Sequence, residues 1–131
     1  MSRSCYSDEI DNWDLIRWRG QVTSAIRGKR GQSFLVDLVD ALDSMSEKRL
    51  IVNELENENG VCAIGSLGVK RGLYMAELDP EDCETIASVF DISPQLVREI
   101  TWLNDESNSL LSSEERWTTV RNWALNNIRK K

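Results

Sequence analysis

The chain has 131 residues, of which 40% are hydrophobic and 29% charged, and its formal net charge is −6. This length and composition are typical of one globular domain rather than of a disordered chain. No run approaches the roughly 18 apolar residues that a membrane-spanning helix needs, and residues 1–14 lack the features of a signal peptide, so we expect a cytoplasmic protein that does not enter a membrane.

Two helices are predicted in the first third of the chain. Ser7 is a favourable N-cap, and apolar residues then recur every three or four positions, which predicts a helix over 8–27. Gly28 and Gly31 are expected to end it. The same spacing predicts a second helix over 32–45.

The middle of the chain predicts a small β-hairpin. Short apolar runs at 49–55 and 61–64 are separated by a segment that contains Asn59-Gly60, a frequent hairpin turn pair. A helix over the second run remains open as an alternative, because glycine in a helix interior costs only about 1 kcal/mol relative to alanine.

Three helices are predicted in the second half. Asp79 and Ser93 are N-cap residues followed by proline, which predicts helices over 80–90 and 94–104. A capping box of Ser112 with Glu115 predicts the last helix. We therefore expect a mainly α fold (α+β class) in a single domain over 1–131, with about five helices and a small hairpin near 49–64.

Residues 85–100 have the spacing of a helix-turn-helix DNA reader. Asp91 stands at the turn position that usually holds a left-handed glycine, and aspartate tolerates that conformation better than most residues. The second helix would present Gln95 and Arg98 to base edges, since these side chains suit adenine and guanine. The structural interpretation is a helix pair that shares only the packing pattern.

Charge argues against DNA binding by this motif. Residues 77–91 contain six acids and no base: Glu77, Asp79, Glu81, Asp82, Glu84 and Asp91. Because phosphate neutralisation by Lys and Arg supplies most non-specific DNA affinity, we expect repulsion to dominate unless distant bases compensate. We therefore favour the structural interpretation.

A basic segment at 17–30 is the second charged feature. It holds five bases and no acid: Arg17, Arg19, Arg27, Lys29 and Arg30. The last four would contact phosphate or an acidic surface in a functional interpretation. In the structural interpretation, which we favour, they complement the helix dipole and pair with the acids of 77–91.

The sequence offers little for catalysis. It contains no histidine, which removes the commonest general base and most zinc sites. Cys5, Cys62 and Cys83 are expected to be free thiols. The calcium-loop-like segment 104–115 and the glycine-rich segment 65–72 depart from their motifs. We expect no enzymatic activity, no metal and no cofactor.

Three stretches carry a resemblance to a known family: SCYSDEIDNWDLIRWRGQVTSAIRGKRGQSFL, EKRLIVNELENENGVCAIGSLGVKRG, and LNDE followed by SSEERWTTVRNW. Together they resemble a family of small bacteriophage and prophage proteins for which no activity is established. IRGKRGQ and EERW with VRNW are the most specific pieces. The resemblance implies a phage setting, in which small acidic proteins are often inhibitors of bacterial machinery, including anti-CRISPR proteins.

These observations lead to two hypotheses. In the first, the chain inhibits a bacterial host protein or nucleoprotein complex by occupying its basic, nucleic-acid-binding surface. Five acids would make this contact: Glu77, Asp79, Glu81, Asp82 and Glu84. A CRISPR effector is one candidate for that complex, and Trp102 would anchor the contact. In the second, the chain is a transcriptional regulator of phage genes that reads DNA through Gln95 and Arg98.

Overall fold

The computed structural model describes residues 12–107 and 110–129 of the chain. Over these ranges the order of elements is α1 (Asn12–Arg27), α2 (Lys29–Ser44), β1 (Glu56–Asn57), β2 (Gly60–Val61), α3 (Ala63–Lys70), α4 (Cys83–Phe90), α5 (Pro94–Asp105) and α6 (Ser113–Asn127). The predicted mainly helical fold with a small hairpin is confirmed. The described ranges contain six helices where about five were expected, and the extra one is α3.

Helices α1 and α2 meet at a tight corner. Helix α2 begins three residues earlier than predicted, because Gly28 is extended and its carbonyl accepts the Gln32 N–H at 2.9 Å. Gly31 lies inside α2 rather than before it, and a Cβ there would collide with the carbonyl oxygen of Ala25. Of the predicted first helix, residues 8–11 lie outside the described ranges.

The hairpin is shorter than predicted and lies mainly between the two predicted strands. Strands β1 and β2 pair antiparallel over two residues each. Segment 49–55 stays irregular: the Leu50 N–H donates to the Ser113 carbonyl at 3.0 Å, and Asn53 takes a left-handed φ of 69°. Both features are incompatible with a regular strand, so the strand prediction for 49–55 was wrong.

Helix α3 occupies the second half of the second predicted strand and the residues that follow it, so the alternative of a helix there was correct. Cys62 is its N-cap and accepts the Gly65 N–H on sulfur at 3.4 Å. The side-chain oxygen of Asn104 accepts the Ala63 N–H at 3.0 Å. A Cβ at Gly65 would collide with the carbonyl oxygen of Leu55, so glycine allows α3 to approach the hairpin closely.

The observed N-caps of the last three helices agree with the predicted ones, except at α4. Helix α4 begins at Cys83 instead of residue 80, because Asp82 rather than Asp79 is its N-cap and accepts the Thr85 N–H at 3.1 Å. Ser93 caps α5 as predicted. The predicted capping box is present at α6, where the Ser112 hydroxyl and the Glu115 carboxylate each accept the other residue's N–H.

One hydrophobic cluster joins α2 to α6. Its largest members are Phe34 and Phe90, whose rings meet edge to face at 6.5 Å between centroids. Helix α5 packs against α1, α3, α4 and α6, and none of its twelve residues, all of them described, is exposed. No helix in the described ranges is both long and apolar enough to cross a bilayer.

Candidate functional site

The five acids of the first hypothesis lie on the loop 71–82 and the first turn of α4. All are exposed, and we call them the acidic surface: Glu77, Asp79, Glu81, Asp82 and Glu84. Within 71–82, only Met75 is buried, and together with the half-buried Leu73 and Leu78 it attaches the loop to the core. The Asp79 carboxylate accepts the Glu81 N–H at 2.9 Å and so shapes the approach to α4.

The charge of the acidic surface is not neutralised within the described part of the chain. None of its five carboxylates forms a salt bridge there. The acids of α2 differ, since each of the three is paired: Asp37 with Arg71 at 3.0 Å, Asp40 with Lys70 at 2.8 Å and Asp43 with Arg121 at 2.6 Å. The acidic surface is therefore available to an external cation.

Asp82 is held in its charged form. The Thr85 hydroxyl donates to its carboxylate at 2.8 Å and the Thr85 N–H at 3.1 Å, and these hydrogen bonds lower the pKa of Asp82 below its usual value. Hydrogen bonds to a carboxylate favour the ionised state, so this residue stays negative throughout the neutral range.

The two ion pairs seen for the basic segment within the described ranges do not involve the acidic surface. Arg19 pairs with Glu99 of α5 at 3.3 Å, and Arg30 pairs with Asp91 at 3.6 Å. Asp91 is thus the one acid of 77–91 for which the expected internal pairing is seen in the described ranges. Lys29 and Arg30 line an open cavity of about 320 Å³ beside Arg71 and Asp91.

The helix-turn-helix packing predicted from sequence is present. Helices α4 and α5 are joined by a short turn in which Asp91 has the expected left-handed conformation, with φ 57° and ψ 51°. The residues at which a helix-turn-helix pair packs together, Ala87, Ile92, Val97 and Ile100, are all buried. The local pattern therefore identified the helix pair correctly.

The face of α5 that would read DNA is covered by α1. The Arg98 guanidinium lies over the Trp18 ring at 5.5 Å, and its Nε is buried without a hydrogen bond in the described structure. Glu99 is only 7% exposed and is held by Arg19, while Gln95 is half-buried. A recognition helix needs an exposed face to enter a major groove, so this arrangement weighs against the second hypothesis.

The tryptophans whose side chains are described lie at the edge of the core rather than inside it. Trp18, Trp102, Trp117 and Trp123 are all half-buried, and the side chain of Trp13 lies outside the described ranges. Trp117 donates its indole N–H to the Leu42 carbonyl at 3.2 Å, which fixes it at the edge of the core.

Tyr74 is an aromatic residue that sequence reasoning missed. It is 76% exposed and lies on the same loop as the acidic surface, three residues before Glu77. Its sequence context, Leu-Tyr-Met, has no periodicity to distinguish a buried from an exposed aromatic side chain.

The weaker candidate sites have structural explanations. Gly65 and Gly68 of the glycine-rich segment are buried within α3 and are packing positions rather than a phosphate loop. Asn104, the first residue of the calcium-loop-like segment, is buried and hydrogen-bonded, and residues 108–109 of that segment lie outside the description. Cys62 and Cys83 are buried and form no disulfide within the described ranges, as predicted, and Cys5 lies outside those ranges.

The chain matches no protein-family model, no curated protein and no solved structure. The phage setting implied by the resemblance therefore remains a prediction.

Proposed function

We propose that this chain is a non-enzymatic binding protein of the phage or prophage type. It acts in the cytoplasm of a bacterial host, where its acidic surface occupies a basic, nucleic-acid-binding surface of a host complex and inhibits that complex. A CRISPR effector is one candidate for the target, and the protein would then be an anti-CRISPR protein.

One observation carries the proposal: within the described ranges the acidic surface forms no ion pair, whereas the acids of α2 are each paired with a base. Unpaired carboxylates keep their full attraction for a cationic partner, and gathering five of them on one loop and helix turn focuses that attraction. Complementary charge accelerates association and selects partners of opposite sign.

An aromatic anchor would slow dissociation. The sequence favours Trp102 for this role, but that side chain is half-buried on α5. Tyr74 is better suited, because its ring is exposed beside the acidic surface and can receive a lysine or arginine from the partner over its face.

The test is a pull-down from bacterial lysate with a pair of charge-matched variants. The first variant, Glu77→Lys/Glu81→Lys, reverses two charges of the acidic surface. We leave Asp79 and Asp82 unchanged, because their carboxylates accept backbone N–H groups that shape the loop and cap α4. Glu56→Lys/Glu58→Lys alters the exposed hairpin by the same charge, and both variants go from a net charge of −6 to −2.

We expect the wild type and the hairpin variant to retain the same protein, and the Glu77/Glu81 variant to lose it. The retained protein should resist nuclease treatment and be released by added single-stranded DNA, which competes for the same basic surface. Its association rate should fall about tenfold between ~0.05 and ~0.5 M salt. Equal retention by all three proteins would contradict the proposal, as would a salt-independent association rate.

The DNA-binding regulator remains the second candidate, because α4 and α5 pack as a helix-turn-helix pair with a left-handed Asp91 between them. It requires Gln95 and Arg98 to reach base edges and Arg19, Arg27, Lys29 and Arg30 to contact phosphates. A gel shift on a library of phage promoters, with Arg98→Glu as control, tests it. A selective, Arg98-dependent shift would replace the first proposal.

A further inference from the structure

Three cationic side chains line the cavity beside the corner between α1 and α2. Lys29 and Arg30 come from the first turn of α2, and Arg71 is the C-cap of α3. Among the described residues that line the cavity, Asp91 is the one acid. In a chain whose net charge is −6, this cavity therefore concentrates positive charge.

The position of Lys29 and Arg30 is unfavourable for the stability of α2. The sequence predicts that they complement the dipole of α1, but they belong to the first turn of α2, where cations are repelled and anions are stabilised. This turn contains no acid, and no side chain caps it at Gly28. Arg27 differs, because it lies in the last turn of α1, where a cation is favourable. Helix stability thus accounts for Arg27 but not for Lys29 and Arg30.

The neighbouring acids leave the charge of these two residues largely available. Lys29 forms no ion pair within the described ranges. Arg30 pairs with Asp91 at 3.6 Å, but 58% of the Arg30 side chain and 81% of the Asp91 side chain are exposed. Because solvent screens such a pair, it contributes little, and an anion in the cavity can replace Asp91 as the partner of Arg30.

The third cation, Arg71, is held in place by contacts at both ends. Its backbone N–H donates to the Leu67 carbonyl at 2.9 Å, and its guanidinium donates to the Phe90 carbonyl at 3.3 Å and to the Asp37 carboxylate at 3.0 Å. A guanidinium has five N–H donors, so several remain after these two hydrogen bonds. Its planar fork matches two oxygens of a phosphate group, and a side chain that is already ordered loses little entropy on binding.

We propose that this cavity binds a phosphate group, which Lys29, Arg30 and Arg71 contact and the N-terminus of α2 stabilises. The volume of about 320 Å³ lies at the lower end of the range for small-molecule sites, about 300–1,000 Å³. The ligand is therefore inorganic phosphate or a small phosphate ester. The site uses none of the five acids of the acidic surface, so either proposal can fail without the other.

NMR titration of the isotope-labelled protein tests the site. The probes are inorganic phosphate and adenosine monophosphate, and their controls are chloride at equal ionic strength and adenosine. We expect saturable shifts of the amides of 29–31 and 33, with a dissociation constant on the order of 1 mM, and no such shifts with either control. Tighter binding of adenosine monophosphate than of phosphate identifies an ester as the ligand, and equal binding identifies phosphate itself.

A matched pair of variants separates this site from general attraction to the basic segment. Lys29→Gln and Arg27→Gln each remove one exposed cation from the same corner, but of these two only Lys29 lines the cavity. We expect Lys29→Gln to weaken phosphate binding about three- to tenfold and Arg27→Gln to change it by less than about twofold. Shifts that do not saturate, equal shifts with adenosine, or equal weakening by the two substitutions would overturn the proposal.

Discussion

Asn104 shows how one polar residue organises the irregular middle of the chain. Its amide nitrogen donates to the Ile51 carbonyl at 2.8 Å, and its oxygen accepts the Ala63 N–H at 3.0 Å. The side chain is 2% exposed, so these hydrogen bonds replace water for both backbone groups. It therefore joins α5 to segment 49–55 and to the start of α3.

We expect Asn104→Ala to lower the free energy of unfolding by about 2–4 kcal/mol, because two backbone groups would remain buried without partners. Asn57→Ala is the matched control, since its hydrogen bonds lie on the exposed hairpin and water can replace them. The control should change stability by less than about 1 kcal/mol. Urea denaturation measures both, and equal losses would contradict this role of Asn104.

Individual residues also show what sequence could predict. The caps at Ser93 and Ser112 were correct because a cap depends on neighbours within three residues. The left-handed Asp91 was correct for the same reason. The position of α4's start was missed because Asp79 and Asp82 are both acceptable caps, and only the fold of the preceding loop selects between them.

At the scale of elements, α2 and α6 are connected by a bidentate ion pair. Arg121 donates to both carboxylate oxygens of Asp43, at 2.6 and 3.1 Å, and this hydrogen bonding lowers the pKa of Asp43 below its usual 3.8. A lowered folded-state pKa means that the ionised carboxylate stabilises the fold above about pH 3.8. That contribution is lost as the pH falls through the folded-state pKa.

Asp43→Asn should therefore cause a small loss of stability at neutral pH that shrinks below about pH 3.8 and disappears in stronger acid. Denaturation curves between about pH 7 and pH 2.5 for wild type and variant measure the difference. A stability difference that stays constant across this range would show that the loss has a cause other than ionisation.

The elements that sequence missed depend on distant contacts. Leu50, Ile51 and Val52 have the composition of a strand, yet the N–H of Leu50 donates to α6 and that of Ile51 to β2. Local sequence also could not predict which face of α5 is exposed. Its Glu99 is covered by Arg19, which is 80 residues away in the chain, so only the docking of α1 decides which face remains free.

At the scale of the whole molecule, the net charge and the burial of α5 both disfavour the binding of nucleic acid. The net charge is −6, and the face of α5 that would enter a groove is covered. Non-specific binding depends on phosphate neutralisation, with dissociation constants of about 10⁻⁴ to 10⁻⁶ M for ordinary DNA-binding proteins. Within the described ranges, six of the cations are held in ion pairs with acids, which reduces that attraction.

We therefore expect no retardation of a random duplex by the protein at up to about 10 μM and about 0.15 M salt. A gel shift with a basic DNA-binding domain as positive control measures this. Retardation of the random duplex would mean that the basic segment outweighs the acidic surface, and it would count against the proposed function.

The anchoring of the acidic loop has a consequence for how this protein can change over generations. Met75 alone is buried within 71–82, and it rests where Gly68 leaves room for its sulfur. The charged residues around Met75 are exposed and contribute little to the core. Most of them can therefore be substituted while Met75 and Gly68 keep the loop in place. Selection for binding a new target would then change the surface charge with little effect on the stability of the fold.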